Sequence, residues 1–375
     1  MKSRTPLRPT RRNAIALGGA LLAGILLFAS ADNSRVLAQP ATNQPLGVAL
    51  LTNGPLNDWG FNYTNDIGLK YVKEKLGNKV NTQAIGEVPE TGDAERIMRR
   101  LIDQGNRLII AASYGYHDTT KKLAAENPKV SFLQVFGDDQ AKNLGTYGVA
   151  MYQPWYVMGV VAGSMTKTNK LGVVIAHPIP PLKWYVNVFQ MGARSVNPNA
   201  TVTVTSINHW FDPNLAAEAT EALIASNHDV VTGLLDNMVA IAQTAEKRRV
   251  WVISQSTGLQ QFAPNSFLVG TEFRWGPLFT KATEVLLNGG PDQPIGNYGG
   301  GLKEGFVGIS DFGPNVPQAV RAKALEALER VKADDSFIYR GPIVDNQGKT
   351  IVGEGASLPR TVATDWYIEG VRSSR

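Results

Sequence analysis

The chain has 375 residues, 43% of them hydrophobic, no cysteine, and a formal net charge of +5. The lack of cysteine excludes disulfides, thiol nucleophiles, thiolate metal sites and lipid attachment at an N-terminal cysteine. Residues 1–38 hold six basic side chains against one acidic one, so the rest of the chain is near neutral and offers no basic surface for nucleic acid.

In chain order, a basic start, an uncharged apolar run over 14–31 and small residues at its end read as an export signal over 1–38. Arg11 and Arg12 fit the twin-arginine route, and a basic flank fits the general secretion route equally. The apolar run is also long enough for an uncleaved anchor, although Ala29-Ser30-Ala31 and Val36-Leu37-Ala38 favour cleavage. The expected location is the periplasm, as a freely soluble protein. About 337 residues follow, more than one hydrophobic core usually serves, so two lobes are expected.

A rhythm then sets in: an apolar or β-branched run, a turn rich in Gly, Asn, Asp or Pro, then helical spacing. "LGVALL" (46–51) precedes a helix expected over 63–76; "KVNTQAI" precedes "DAERIMRRLIDQG", where Ile97, Met98, Leu101 and Ile102 share one face and Gly105 ends the helix. "RLIIAA", a helix near 119–126 and "VSFLQVF" complete the first half. "YQPWYVMGVVAGSMTKTNK" reads as a helix crossing between lobes. "LGVVIA", "TVTVTSI", "HDVVTGL" and "RVWVIS" restart the rhythm, with helices near 186–195, 216–225 and 239–247. "SFLVGTEF" and a helix over 278–287 suggest a return to the first lobe, and the glycine-rich tail suggests hairpins at the hinge side. Alternating strands and helices imply parallel sheets covered on both faces.

In such sheets a ligand lies beyond the carboxyl ends of the strands. The loops there fall at 53–62, 113–118, 177–183, 208–212, 235–238, 254–258 and 273–275. In or beside them stand Phe61, Tyr114, Tyr116, Trp184, Trp210, Phe211, Phe273 and Trp275, a distribution that suits a planar ligand held between two lobes. Taken singly, each ring reads as well as a cap over the core. Asp58 and Asn62 read either as ligand contacts or as caps for the following helix, and Asp236-Asn237 likewise. Arg274 reads as a surface group or an ion pair, and Asp212-Pro213 as a helix start. The four histidines, at 117, 177, 209 and 228, have no metal-ligand spacing, and no nucleophile elbow or phosphate loop is present. The glycine run at 299–301 has no helix after it to cradle phosphate.

From about Gly47 to Val371 the chain resembles the basic membrane protein family of ABC-transporter substrate-binding proteins, the PnrA-like group. The resemblance rests on the order and spacing of "NDWGFNYTNDIGLKYV", "SYGYHDTTKKLAAENPKVSFLQVFG", "GVVAGSMTKTNKLGVVIAHPIP", "MGARSVNP", "WFDP", "FRWGPLF", "GGLKEGFVGISDFGP" and "DWYIEGV". It implies an α/β type I periplasmic-binding fold, two doubly wound parallel-sheet lobes with a hinge of three crossovers. The expected lobes are 44–152 with 268–305, and 153–267 with 306–375.

The family commonly binds purine nucleobases or nucleosides through a phenylalanine-asparagine pair after the first strand, which Phe61-Asn62 matches. The expected ligand contacts are Asp58, Phe61, Asn62, Tyr114, Tyr116, Trp184, Trp210, Asp236, Asn237, Gln255, Ser256 and Trp275, with no metal, no cofactor and no catalytic residue. Relatives often carry an acidic residue after the strand equivalent to "RVWVIS" to accept from a ribose diol; this chain has Gln255 and Ser256 there, which favours a free base, while Asp236 keeps nucleosides open. The expected partners are the small-molecule ligand and an ABC permease in the cytoplasmic membrane, the chain itself being a monomer. Two other readings are a sensor that hands its ligand-bound state to a membrane receptor, and an exported nucleoside hydrolase using Asp58, Asp118 or Asp236. The second lacks the dense aspartate cluster of a calcium-dependent site.

Overall fold

The computed structural model describes residues 44–236, 238–290, 292–360 and 364–374, so the export signal expected over 1–38 lies outside the described residues. The first half runs β1 (Leu46–Leu51), α1 (Phe61–Leu76), β2 (Val80–Ile85), α2 (Gly92–Asp103), β3 (Asn106–Ala111), α3 (His117–Glu126), β4 (Ser131–Val135) and β5 (Leu144–Tyr147). Its five strands form one wholly parallel sheet in the order β2-β1-β3-β4-β5. Side chains alternate between two cores along β1, as strand geometry requires: Val48 and Leu50 face the side of α1, Ala49 and Leu51 the side of α2 and α3. Apolar residues on both faces explain why this run shows no polar alternation.

The second half continues with α4 (Tyr152–Met165), β6 (Lys170–Ile175), α5 (Pro180–Val196), β7 (Thr201–Ser206), α6 (Pro213–Ala225), β8 (Val230–Leu234), α7 (Met238–Arg248), β9 (Trp251–Ser254) and β10 (Phe267–Phe273). After it come α8 (Gly276–Gly289), β11 (Val307–Ile309), α9 (Gln318–Ala333), β12 (Ile343–Val344), β13 (Thr350–Val352) and β14 (Val371–Ser373). The second sheet has the order β11-β10-β9-β8-β6-β7-β14, and β12 with β13 makes a separate hairpin. Only the β10–β11 pair of the large sheet is antiparallel.

Helix α4, apolar nearly all round, is the first link between the sheets and is buried against α5. The two approach at glycines: a Cβ on Gly159 would lie 2.0 Å from the Phe189 carbonyl oxygen, and one on Gly192 2.1 Å from that of Tyr156. Helix α8 passes back to lie on α1, and the chain then brings Tyr298 beside Tyr147 at the edge of the first sheet before β11 rejoins the second. The strand "SFLVGTEF" was expected with the first lobe, but β10 pairs with β9 and β11 in the second sheet, and the return begins only at α8. An all-apolar run suits the middle of either sheet, and its neighbour is a long-range choice that local pattern does not express. Helix α9, packed on α4, was also not foreseen within the turn-rich tail. Among the described residues, no helix is long and apolar enough to cross a membrane.

Strand register positions the site. Leu51 of β1 stands level with Ile85 and Ala111, and Ile175 of β6 with Leu234. The loops that follow these strands therefore open side by side at the carboxyl edges of the two sheets.

Candidate functional site

The loop between β1 and α1 is held by one side chain. Asp58 accepts from the backbone amides of Gly60 at 2.8 Å, Asn62 at 3.2 Å and Tyr63 at 2.9 Å, so its carboxylate closes the open amino end of α1. Trp59 takes a left-handed φ of 55° in that turn and stacks on Tyr63, with its ring edge against Phe262 beyond β9. Gly60 is needed for another reason. A Cβ there would lie 2.0 Å from the carbonyl oxygen of Asp236, so the two halves meet backbone to backbone at this point.

Asn62, fully buried, bridges the same contact. Its Nδ2 donates to Asp58 Oδ2 at 2.8 Å and to Asp236 Oδ2 at 3.0 Å, while its Oδ1 finds no donor among the described residues. Asp236 follows β8 and is positioned by its own amide, which donates to the Trp210 carbonyl at 2.8 Å. Burial, and then the Asp58 charge, push the Asp236 carboxyl well above the ordinary carboxylate range. Burial also raises Asp58, against the amides that favour its charge.

Beside this contact lies a cavity enclosing about 630 Å³ of empty space, its mouth included, a size suited to a small molecule. Phe61 forms one wall with Phe136 and Met151; Ile179, Pro181, Leu182, Tyr185, Leu234 and Leu235 form the other, and Trp210 and Tyr114 stand at its edge. The polar groups are few: Asn53, Ser113, Asp236 and Gln255. Gln255 is buried, and its Oε1 has no donor among the described residues. Ser113 donates to Glu90, which also accepts from the Gly115 amide at 3.0 Å. The arrangement is an apolar slot between rings with acceptors along one side, able to sandwich a flat molecule and pair with donors on its edge.

Of the residues expected at the site, Phe61, Tyr114, Trp210, Asp236 and Gln255 line this cavity. Asp58 and Asn62 lie behind Asp236, bonded to it or to one another. Trp275 is wholly buried, its ring 5.7 Å from Phe61 and edge-on to it, and so backs the wall rather than lining it. Tyr116 is buried in the outer core of the first sheet and donates to the Val88 carbonyl. Trp184 is buried against Tyr339, 5.3 Å away; its neighbour Tyr185 faces the cavity, because successive residues of a helix point about 100° apart. Ser256 is buried at a φ of 73°, its amide donating to Thr271 Oγ1 at 2.9 Å. Asn237 lies outside the described residues.

Phe136, Met151 and Tyr185 were not foreseen. Phe136 ends the run "SFLQVF" directly before "GDD", a strand-end position outside the loops expected to hold the ligand. It takes a left-handed φ of 49°, uncommon for a bulky residue and typical of sites that hold a side chain in a set direction. Asp212 proves to be a helix cap, accepting from Asn214 and Leu215, and Arg274 pairs with Glu272. His117 bonds the Val135 carbonyl and His177 packs on Trp210, so each has its own structural partner.

Comparison with known proteins agrees with this geometry. The family model of PnrA-like ABC transporter substrate-binding proteins matches residues 46–334. The chain is 34% identical over 330 residues to a purine-binding protein of Brucella abortus, covering 88% of this chain and 93% of that one. It is 27% identical to a putative ABC transporter glucose-binding protein of Haloferax volcanii, over 88% of this chain and 82% of that one. A solute-binding protein of an ABC transporter system from Aeropyrum pernix shares the fold, with a TM-score of 0.67 at 16% identity over 78% of this chain and 92% of that one. The chain is a binding protein and not an enzyme, and it belongs to the PnrA-like family of ABC-transporter substrate-binding proteins, which act outside the cytoplasmic membrane with a small-molecule ligand and a membrane permease as partners.

Proposed function

We propose that this protein is exported to the periplasm and binds a purine nucleobase or nucleoside in the cavity between its two sheets, delivering it to an ABC importer. The observation that carries the reading is the cavity's make-up: rings on both sides, apolar surface throughout, and a few acceptors gathered near Asp236 and Gln255. A heterocycle fills such a slot with its faces and satisfies the acceptors with its N–H edge. The Brucella relative's purine-binding name supports the same class. Gln255, a neutral amide where relatives often hold an acid, favours a free base over a nucleoside. In this reading the first lobe is 44–152 with 274–305 and the second 153–273 with 306–374. Closure around the ligand shifts an open–closed equilibrium.

The Haloferax relative's name makes a sugar the competing ligand. A pyranose carries hydroxyls all around its rim and needs more polar partners than this cavity offers. A thermal-shift screen of refolded, ligand-free protein against purines, nucleosides and sugars separates the two. A ligand at a hundred times its Kd adds about 2.7 kcal/mol of stability. Purines are expected to shift the transition; a shift with glucose and none with any purine sinks the proposal.

A further inference from the structure

We infer that the two lobes close by taking up one proton, held between Asp58 and Asp236, so that acid favours the closed state and alkali the open one. The contact itself carries the inference. Two carboxylates, one from each lobe, are each about 5% exposed and share the single Nδ2 of Asn62, which is fully buried. Like charges this close and this dry do not both persist without a cation between them. Among the described residues, no lysine or arginine forms an ion pair with either.

The surroundings decide where the proton goes. Asp58 accepts three backbone amides at the amino end of α1, as well as the Asn62 amide, and these favour its charged form against burial. Asp236, among the described residues, accepts from Asn62 alone. The other titratable groups that face Asp236 are Glu90, which adds negative charge, and the Tyr116 phenol, which burial keeps neutral. His177 faces Glu90 and His209, and burial lowers its pKa from the ordinary value. A proton on Asp236 also turns that carboxyl into a donor beside an amide whose own Oδ1 finds none among the described residues.

When the lobes part, water reaches Asp236 and Asp58 moves away from it, so Asp236 reverts toward an ordinary carboxylate and ionises. The closed state therefore binds more protons than the open one. Above the ordinary carboxylate pKa and up to the raised one of the closed state, the closed-to-open ratio falls by up to about tenfold per pH unit as pH rises.

The test needs no ligand, so its outcome is independent of whether the cavity takes a purine. Small-angle scattering of the ligand-stripped protein, taken from about pH 8 down to about pH 5, reports the separation of the lobes through the radius of gyration. The wild type is expected to become more compact as pH falls, and Asp236→Asn, which keeps the amide bridge without the charge, to stay compact throughout. Should Asp236→Asn not fold, Asp58→Asn removes the same repulsion and is expected to flatten the same curve. Dimensions of the wild type that do not change across the range overturn the proposal, as does an unaltered pH response in a folded variant.

Discussion

Phe61 and Trp210 face the same cavity from opposite lobes, and they are held in different ways. Phe61 rests edge-on against Trp275, which meets Tyr147 at 5.3 Å, which in turn meets Phe279 at 5.0 Å. Two polar pins lock that stack: Trp275 Nε1 donates to Thr64 Oγ1 at 3.1 Å and the Tyr147 hydroxyl to Asn65 at 2.8 Å. Trp210 sits on a turn between β7 and α6, against the His177 ring at 5.1 Å. The Phe61 ring is thus part of a close-packed stack, whereas the Trp210 ring is a side chain on a loop at the cavity edge. A binding protein that closes gains from this asymmetry, because one lobe offers a preformed surface and the other adapts as it arrives.

Substitutions sharpen or break that comparison. The largest effect is expected from Trp275→Ala, which empties the centre of the ring stack. It should lower stability by about 3–5 kcal/mol in urea unfolding, although Trp275 does not line the cavity. Phe61→Ala should weaken ligand binding by about 1–3 kcal/mol in calorimetry, with a smaller loss of stability than Trp275→Ala because one side of the Phe61 ring faces the cavity. An affinity like that of the wild type removes Phe61 from the site. Gly60→Ala drives a methyl group into the Asp236 carbonyl and should weaken binding by about 1–3 kcal/mol through impaired closure alone. Scattering from this variant with ligand present should show the more open form. Trp210→Ala, at the adaptable edge, should cost about 0.5–1.5 kcal/mol of affinity. A loss larger than that of Phe61→Ala would reverse the assignment of rigid and adaptable rings. Tyr114, 46% exposed at the cavity mouth, should matter least, with a change under about 0.5 kcal/mol on replacement by alanine.

Much of the site was legible because strand ends and turn chemistry are local. The run "LGVALL" followed by "TNGPLNDWGFN" marks a strand, a turn and a helix start, and in a parallel sheet that junction is where ligands lie. Trp184 and Tyr185 differ for a reason that is not local. Both belong to the opening of α5, and only the rotation of the helix on its sheet decides that Tyr185 lines the cavity while Trp184 packs on Tyr339. Asp58 shows the same limit from the other side, since capping a helix and touching a ligand ask for the same residue at the same place.

Composition and periodicity by themselves determined an exported-looking, cysteine-free chain of alternating strands and helices, because apolar spacing and turn residues act over a few positions. The motif order pointed to the family on the same local basis. The tertiary structure alone decided that β10 joins the second sheet, that Trp275 supports Phe61 from behind, and that Asn62, bonded to Asp58, reaches Asp236, 174 residues further along the sequence. Those outcomes depend on which distant surfaces exclude water together, a property of the packed whole that no short segment carries.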